Sequence, residues 1–149
     1  MSKTGSERII GYTAGVYDLF HIGHLYLLKN AKSMCDHLIV GVSTDELVMR
    51  TKGKQPVIKF AERLEIVSAI KYVDTVVRQD SLNKLEAWDY FKFNLIFVGS
   101  DWKGKASWVE MEEKFSSLNV RVIYFPYTLN TSSTKINCIL DQYRTDIDD

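Results

Sequence analysis

The sequence predicts an α/β fold, a doubly wound parallel sheet of about five strands with helices on both faces. Short apolar runs with strand character alternate with helix-period runs from one end of the chain to the other. The strand-like runs carry few polar residues, as strands covered on both faces should. No internal repeat, low-complexity tract or interdomain linker breaks the 149 residues, and that length suits one domain with a proper core.

The first strand is expected at Ile9-Ile10-Gly11-Tyr12-Thr13-Ala14, after a flexible lead-in over residues 1–8. A helix follows from about Ile22 to Met34, then a strand over His37-Leu38-Ile39-Val40-Gly41-Val42-Ser43. Ser43 or Thr44 caps a short helical piece that has Asp45 and Glu46 at its positive end. Arg50-Thr51-Lys52-Gly53-Lys54-Gln55-Pro56 is basic and lacks apolar periodicity, so it reads as a mobile loop. Further helices are expected from Phe60 to Lys71, Leu82 to Phe93 and Glu110 to Phe115. Strands are expected at Thr75-Val76-Val77, Leu95-Ile96-Phe97-Val98-Gly99 and Val120 to Phe125, the last stopped by Pro126. Ser132 or Ser133 opens a final helix through Ile136, Ile139 and Leu140. A single domain thus spans 9–143, and residues 144–149 form an acidic tail.

Formal net charge is +0, so nothing draws the whole chain to nucleic acid or an anionic membrane. No run reaches the ~18 apolar residues of a membrane helix, and the first residues lack the apolar core of a signal peptide. Cys35 and Cys138 are far apart in sequence, which suits buried thiols in a reducing, cytoplasmic compartment.

Chemistry concentrates where the first strand hands over to the first helix. His21 and His24 stand there, three residues apart, with Gly23 allowing close approach to the backbone. In an open α/β sheet this is the ligand crevice. Free N–H groups and the helix dipole there favour an anion. Both rings are expected to donate hydrogen bonds to phosphate, and an imidazolium would stabilise charge developing on a phosphoryl group. A zinc site would need more ligands than His37 and two scattered cysteines supply. Asp18 is left with three roles: fixing a ring tautomer, touching the ligand, or capping the helix.

Ser132, Ser133 and Thr134 mark a second helix start and so a second anion site. Lys52 and Lys54 flank Gly53 in the basic loop, which by itself reads as a solvated surface. Gly99 to Ala106 nearly matches a phosphate-binding loop, but Ala106 lacks the hydroxyl that would hold Mg²⁺.

Gly15-Val16-Tyr17-Asp18-Leu19-Phe20-His21-Ile22-Gly23-His24 resembles the signature of the nucleotidylyltransferase superfamily, with Tyr17 in the place of a phenylalanine. Lys52-Gly53-Lys54 resembles the basic loop of its cytidylyltransferases, which implies a lid that reaches over the triphosphate. Gly99-Ser100-Asp101-Trp102-Lys103-Gly104-Lys105 and Tyr127-Thr128-Leu129-Asn130-Thr131-Ser132-Ser133-Thr134-Lys135-Ile136 are similar to two later stretches of the glycerol-3-phosphate cytidylyltransferases. The likeness runs from about Ile9 to Ile139.

The resemblance implies a Rossmann-like domain that transfers CMP from CTP to a small phosphorylated alcohol and releases pyrophosphate. Catalytic roles fall to His21, His24, Lys52 and Lys54. Nucleotide contacts fall to Gly15, Val16, Tyr17, Asp18, Lys71, Gly99, Asp101, Thr128, Ser132, Ser133 and Thr134. Acceptor contacts fall to Arg63, Trp102 and Tyr127. Mg²⁺ is expected to arrive with the nucleotide, and a homodimer is implied.

Lys71 stands where relatives often have arginine, Tyr127 where they have arginine, Asn130 where they have glycine and Ser100 where they have an acid. Lys71 keeps the charge and loses the bidentate fork, while the other three imply an altered acceptor pocket, or a charge from Arg121 or Lys135 in place of the arginine lost at Tyr127. The alternatives are an ATP-dependent member resembling FAD synthetases or pantetheine-phosphate adenylyltransferases, and a nucleotide-binding module without turnover.

Overall fold

Side-chain alternation along each strand assigns the helices to their faces. A computed structural model describes residues 8–126. The strands are β1 (Ile10–Gly15), β2 (His37–Ser43), β3 (Thr75–Gln79), β4 (Leu95–Gly99) and β5 (Arg121–Phe125). The helices are α1 (Ile22–Ser33), α2 (Asp45–Lys52), α3 (Phe60–Ser68), α4 (Lys84–Phe91) and α5 (Ala106–Ser117), with a single 3₁₀ turn at Ser100–Trp102. All strand pairs are parallel, in the order β3-β2-β1-β4-β5.

Leu38, Val40 and Val42 of β2 point to one face, where they pack with Leu28 and Ala31 of α1 and Val67 of α3. Ile39 points to the other, where Tyr12, Phe93 and Ile96 meet Trp108 and Phe115 of α5 and Leu85 and Trp88 of α4. Each fully buried apolar side chain stabilises by about 1.5–3 kcal/mol, so both layers are needed to hold the sheet. Gly41 admits a close approach, since a Cβ there would lie 2.6 Å from the Tyr12 hydroxyl. The fold is therefore α/β and Rossmann-like, as the apolar periodicity indicates.

Several boundaries differ from the sequence reading. Arg50, Thr51 and Lys52 belong to α2, not to a loop. Thr44 caps that helix through Leu47 N, its acids and bases suit the dipole, and left-handed Gly53 closes it (φ 73°). α3 ends at Ser68, and β3 continues to Gln79. α4 starts only after Asn83, whose side chain caps it. α5 starts at Ala106, earlier than Glu110, because Trp108, Met111 and Phe115 extend its apolar face. The expected final helix, the acidic tail and residues 1–7 of the lead-in lie outside the described residues.

Candidate active site

The chain leaves β1 toward β2 and β3 on one side, then returns to place β4 and β5 on the other. That reversal at the carboxyl ends of β1 and β4 is the switch point where open sheets bind ligands. A cleft of about 460 Å³ opens there. Its floor is Ala14, Gly15 and Val16 with Ser43, Gln79 and Gly99, the carboxyl ends of four strands. Its walls include Leu47, Val48 and Lys52 of α2, together with Trp102, Trp108 and Met111. Most of this lining is apolar.

The turn from β1 into α1 is built under strain. Tyr17 and Leu19 both adopt left-handed backbone, φ 56° and 49°, at a cost of about 1–2 kcal/mol per residue. The buried Tyr17 ring offsets part of this by packing in the core beside Gly15, where a Cβ would sit 3.2 Å from the ring.

The turn delivers the two histidines as a reciprocal cap on α1. His21 Nδ1 accepts the Gly23 N–H at 3.0 Å, and His24 Nδ1 accepts the His21 N–H at 3.2 Å. The usual hydroxyl and carboxylate of a capping box are here replaced by two imidazoles, with ring centroids 4.0 Å apart. Cap duty thus falls to His21, and Asp18 is not the cap. Burial lowers the His24 pKa to about 4, with a smaller push from His21 and an opposing pull from Asp18. Tyr17 and Phe20 stand against its ring at 5.4 and 5.2 Å. Burial also lowers that of His21. Both rings are therefore neutral near pH 7. Each Nδ1 lone pair is already used, so each ring carries its proton on Nε2. The expected imidazolium is corrected to a pair of neutral N–H donors, because a second proton would have to displace a capping bond.

Asp18 and Arg63 are structural at this site. The Asp18 carboxylate is buried and accepts from Val57 N (2.8 Å) and Ile58 N (2.9 Å). It pins the segment that follows α2 to the β1–α1 turn. Arg63, expected to touch the acceptor, has no exposed surface. Its Nε donates to Ile58 O, one Nη to both Val16 O and Ser43 O, and the other to Asp45 Oδ1 at 2.7 Å. With its donors turned to the backbone, the guanidinium ties the strand ends together and does not face the crevice.

The remaining expected residues divide clearly. Gly15, Val16, Lys52, Gly99 and Trp102 line the cleft. Trp102 is 41% exposed, and the Lys105 ammonium lies 4.9 Å over its ring. Asp101 occupies the same 3₁₀ turn. Lys54 is exposed beyond Gly53, outside the cleft lining. Lys71 follows α3 and precedes β3, so within one chain it stands at the amino edge of the sheet, away from the crevice. Arg121 pairs in register with Leu95 at that same edge, which removes it as a substitute charge. Tyr127, Thr128, Ser132, Ser133, Thr134 and Lys135 lie outside the described residues.

Sequence reasoning overlooked Ser43, Gln79, Lys84 and Trp108 at the cleft. Ser43 and Gln79 end β2 and β3, and the rule that ligands meet strand carboxyl ends was the available signal. Trp108 Nε1 donates to the Tyr124 hydroxyl, which donates to Glu112 Oε2, both at 2.8 Å.

Residues 12–139 match the family described as Cytidylyltransferase-like. The chain is 32% identical over 143 residues to an FAD synthase of Thermococcus sibiricus, covering 95% of each chain. It is 38% identical over 132 residues to a glycerol-3-phosphate cytidylyltransferase of Staphylococcus aureus, covering 87% of this chain and 92% of that one. Its fold is similar to the crystal structure of the lipopolysaccharide core biosynthesis protein from Thermoplasma volcanium (TM-score 0.66, 27% identity), over 82% of this chain and 98% of that one. No helix among the described residues is long and apolar enough to cross a membrane. A parallel sheet with its cleft at the switch point, and a family match over most of its length, place this chain in the cytidylyltransferase-like family of the nucleotidyltransferase superfamily.

Proposed function

We propose that the protein transfers a nucleotidyl group from CTP to the phosphate of a small acceptor. A phosphate oxygen of the acceptor bonds to the α-phosphorus, the bond from that phosphorus to the bridging oxygen breaks, and pyrophosphate leaves with the electron pair. The acceptor phosphate is already ionised, so no base is needed and the protein works by positioning and charge stabilisation. The observation that carries this reading is the histidine pair: two neutral rings at a helix start, each with Nδ1 held by backbone and Nε2–H left to donate. Those donors and the α1 amino terminus suit the phosphate chain of the nucleotide. Lys52, fixed at the end of α2 and lining the cleft, adds charge to the same phosphates, and Lys54 adds more from the loop. Mg²⁺ held by the triphosphate would neutralise its oxygens. The described donors here, imidazole N–H and ammonium, suit phosphate oxygen and not the ion itself, so the nucleotide carries it. A homodimer remains part of the proposal, as do the roles of Thr128, Ser132, Ser133 and Thr134 on the nucleotide.

The cleft favours a second reading of the acceptor. A glycerol-3-phosphate-like molecule is small and polar, whereas about 460 Å³ lined by Leu47, Val48, Trp102, Trp108 and Met111 suits a flat apolar body. A flavin phosphate, the acceptor that FAD synthase chemistry uses, has that shape. Pyrophosphate release is the test, with CTP and ATP each paired with sn-glycerol 3-phosphate and with flavin mononucleotide. Turnover with CTP supports the donor, and the acceptor that turns over selects between the readings. No release from any of the four pairs would falsify the nucleotidyl-transfer reading.

A further inference from the structure

One cation at the cleft has no task in the proposed reaction. Lys84 opens α4, lines the cleft and donates to Gln79 Oε1. Gln79 Nε2 in turn donates to Ser43 Oγ at 2.9 Å. Gln79 and Ser43 are buried at the carboxyl ends of β3 and β2, so the three side chains form a relay along the cleft floor. Lys32, Lys92 and Lys114 each have an acid within salt-bridge distance. Among the described residues Lys84 has none, only the neutral amide. Burial lowers its pKa to about 8. A desolvated ammonium without a counter-charge is costly unless a ligand supplies the missing oxygen.

We propose that Lys84, oriented by Gln79 and Ser43, is the specificity-determining residue that reads an anionic or carbonyl oxygen at the non-reacting end of the acceptor. This rests on the nucleotidyl-transfer reading. The reacting phosphate belongs beside the histidines, off the end of β1. Lys84 follows β3, two strands away in the order β3-β2-β1, a lateral separation of about 10 Å at the usual strand spacing. One phosphate cannot serve both places. The histidines themselves are outside the cleft lining, and α2, which follows the intervening strand β2, lines the cleft with Leu47 and Val48, so an acceptor that reaches from the histidines to Lys84 has a phosphate, an apolar middle and an oxygen-bearing far edge. A flavin phosphate has this pattern, and glycerol 3-phosphate has neither the apolar middle nor the reach.

Lys84→Met and Lys84→Arg in the full chain test the idea. With flavin mononucleotide varied at saturating nucleotide, Lys84→Met should raise the acceptor KM at least tenfold. The nucleotide KM should stay unchanged and the melting temperature should be equal or higher, since a half-buried ammonium with no acid partner among the described residues is removed. Lys84→Arg should recover part of the loss, which a packing role would not predict. An unchanged acceptor KM, or a rise in the nucleotide KM alone, overturns the assignment. If the wild-type protein shows no turnover, nucleotidyl transfer fails but the assignment is still decided by binding. Quenching of flavin fluorescence should then give a Kd at least tenfold weaker for Lys84→Met. Equal affinity, or no binding to either protein, overturns it.

Discussion

Replacing Arg63 separates a structural role from a substrate-binding one. Arg63→Met keeps most of the side-chain volume but removes every donor. The carbonyls of Val16, Ser43 and Ile58 lose their partners, and so does one oxygen of Asp45. Asp45 keeps its bond from Phe60 N through the other oxygen. Leaving a buried acceptor unsatisfied costs about 1–3 kcal/mol, and Asp45, 29% exposed, loses its counter-charge at a cost below the ~3–5 kcal/mol of a fully buried pair. The three carbonyls share one guanidinium and their losses overlap, so a total of about 3–5 kcal/mol is expected. Against a usual stability of about 5–15 kcal/mol, that threatens the fold itself. A lysine in its place would not suffice: a single ammonium cannot span acceptors on β1, β2 and the 57–58 segment, so Arg63→Lys should recover less than half. Urea unfolding followed by circular dichroism measures both variants. Were Arg63→Met to unfold within about 0.5 kcal/mol of wild type while its acceptor KM rose, the buried hub would be the wrong description and the substrate-contact role would return.

Two further outcomes follow from the same turn. The His24 pKa is lowered in the folded state to about 4, so the unfolded chain binds more protons between about pH 4 and 6.5, and stability falls as pH falls through that window. At about 1.36 kcal/mol per unit the loss sums to about 3 kcal/mol. His24→Gln, which can still accept the His21 N–H, should remove that part of the acid slope in urea midpoints from pH 7 to 4, and an unchanged slope would refute it. Asp18→Asn leaves one of two backbone N–H groups facing an amide donor, so the amides of Val57 and Ile58 should exchange faster and stability should drop by about 2 kcal/mol. Unaltered protection at both amides in hydrogen exchange would sink that account.

What the sequence makes legible follows from which interactions are local. β2 and β4 are plain because both faces are buried and their apolar runs are almost unbroken. The turn that carries the two histidines is plain because its residues are contiguous. α2 runs further than expected because a helix dipole and a glycine cap outweigh a lack of apolar periodicity in its last turn. Arg63, Asp18 and Lys84 are harder for a common reason: a charged side chain's role is set by partners distant in sequence. Arg63 meets Val16 across 47 positions, and Asp18 meets Ile58 across 40. The placing of Lys71 and Arg121 within one chain is illegible without topology, because a parallel sheet sends the residues before each strand to the edge opposite the cleft.

The segment between α2 and α3 is tethered at two points. Its near end is the Gly53 cap on α2, and its far end is the latch of Val57 and Ile58 on Asp18. Only Lys54, Gln55 and Pro56 span the gap. A residue inserted into this bridge would therefore leave Lys52 where it is, and change only how far Lys54 reaches, by up to about 3.4 Å. One lysine is set by the scaffold and the other by tether length.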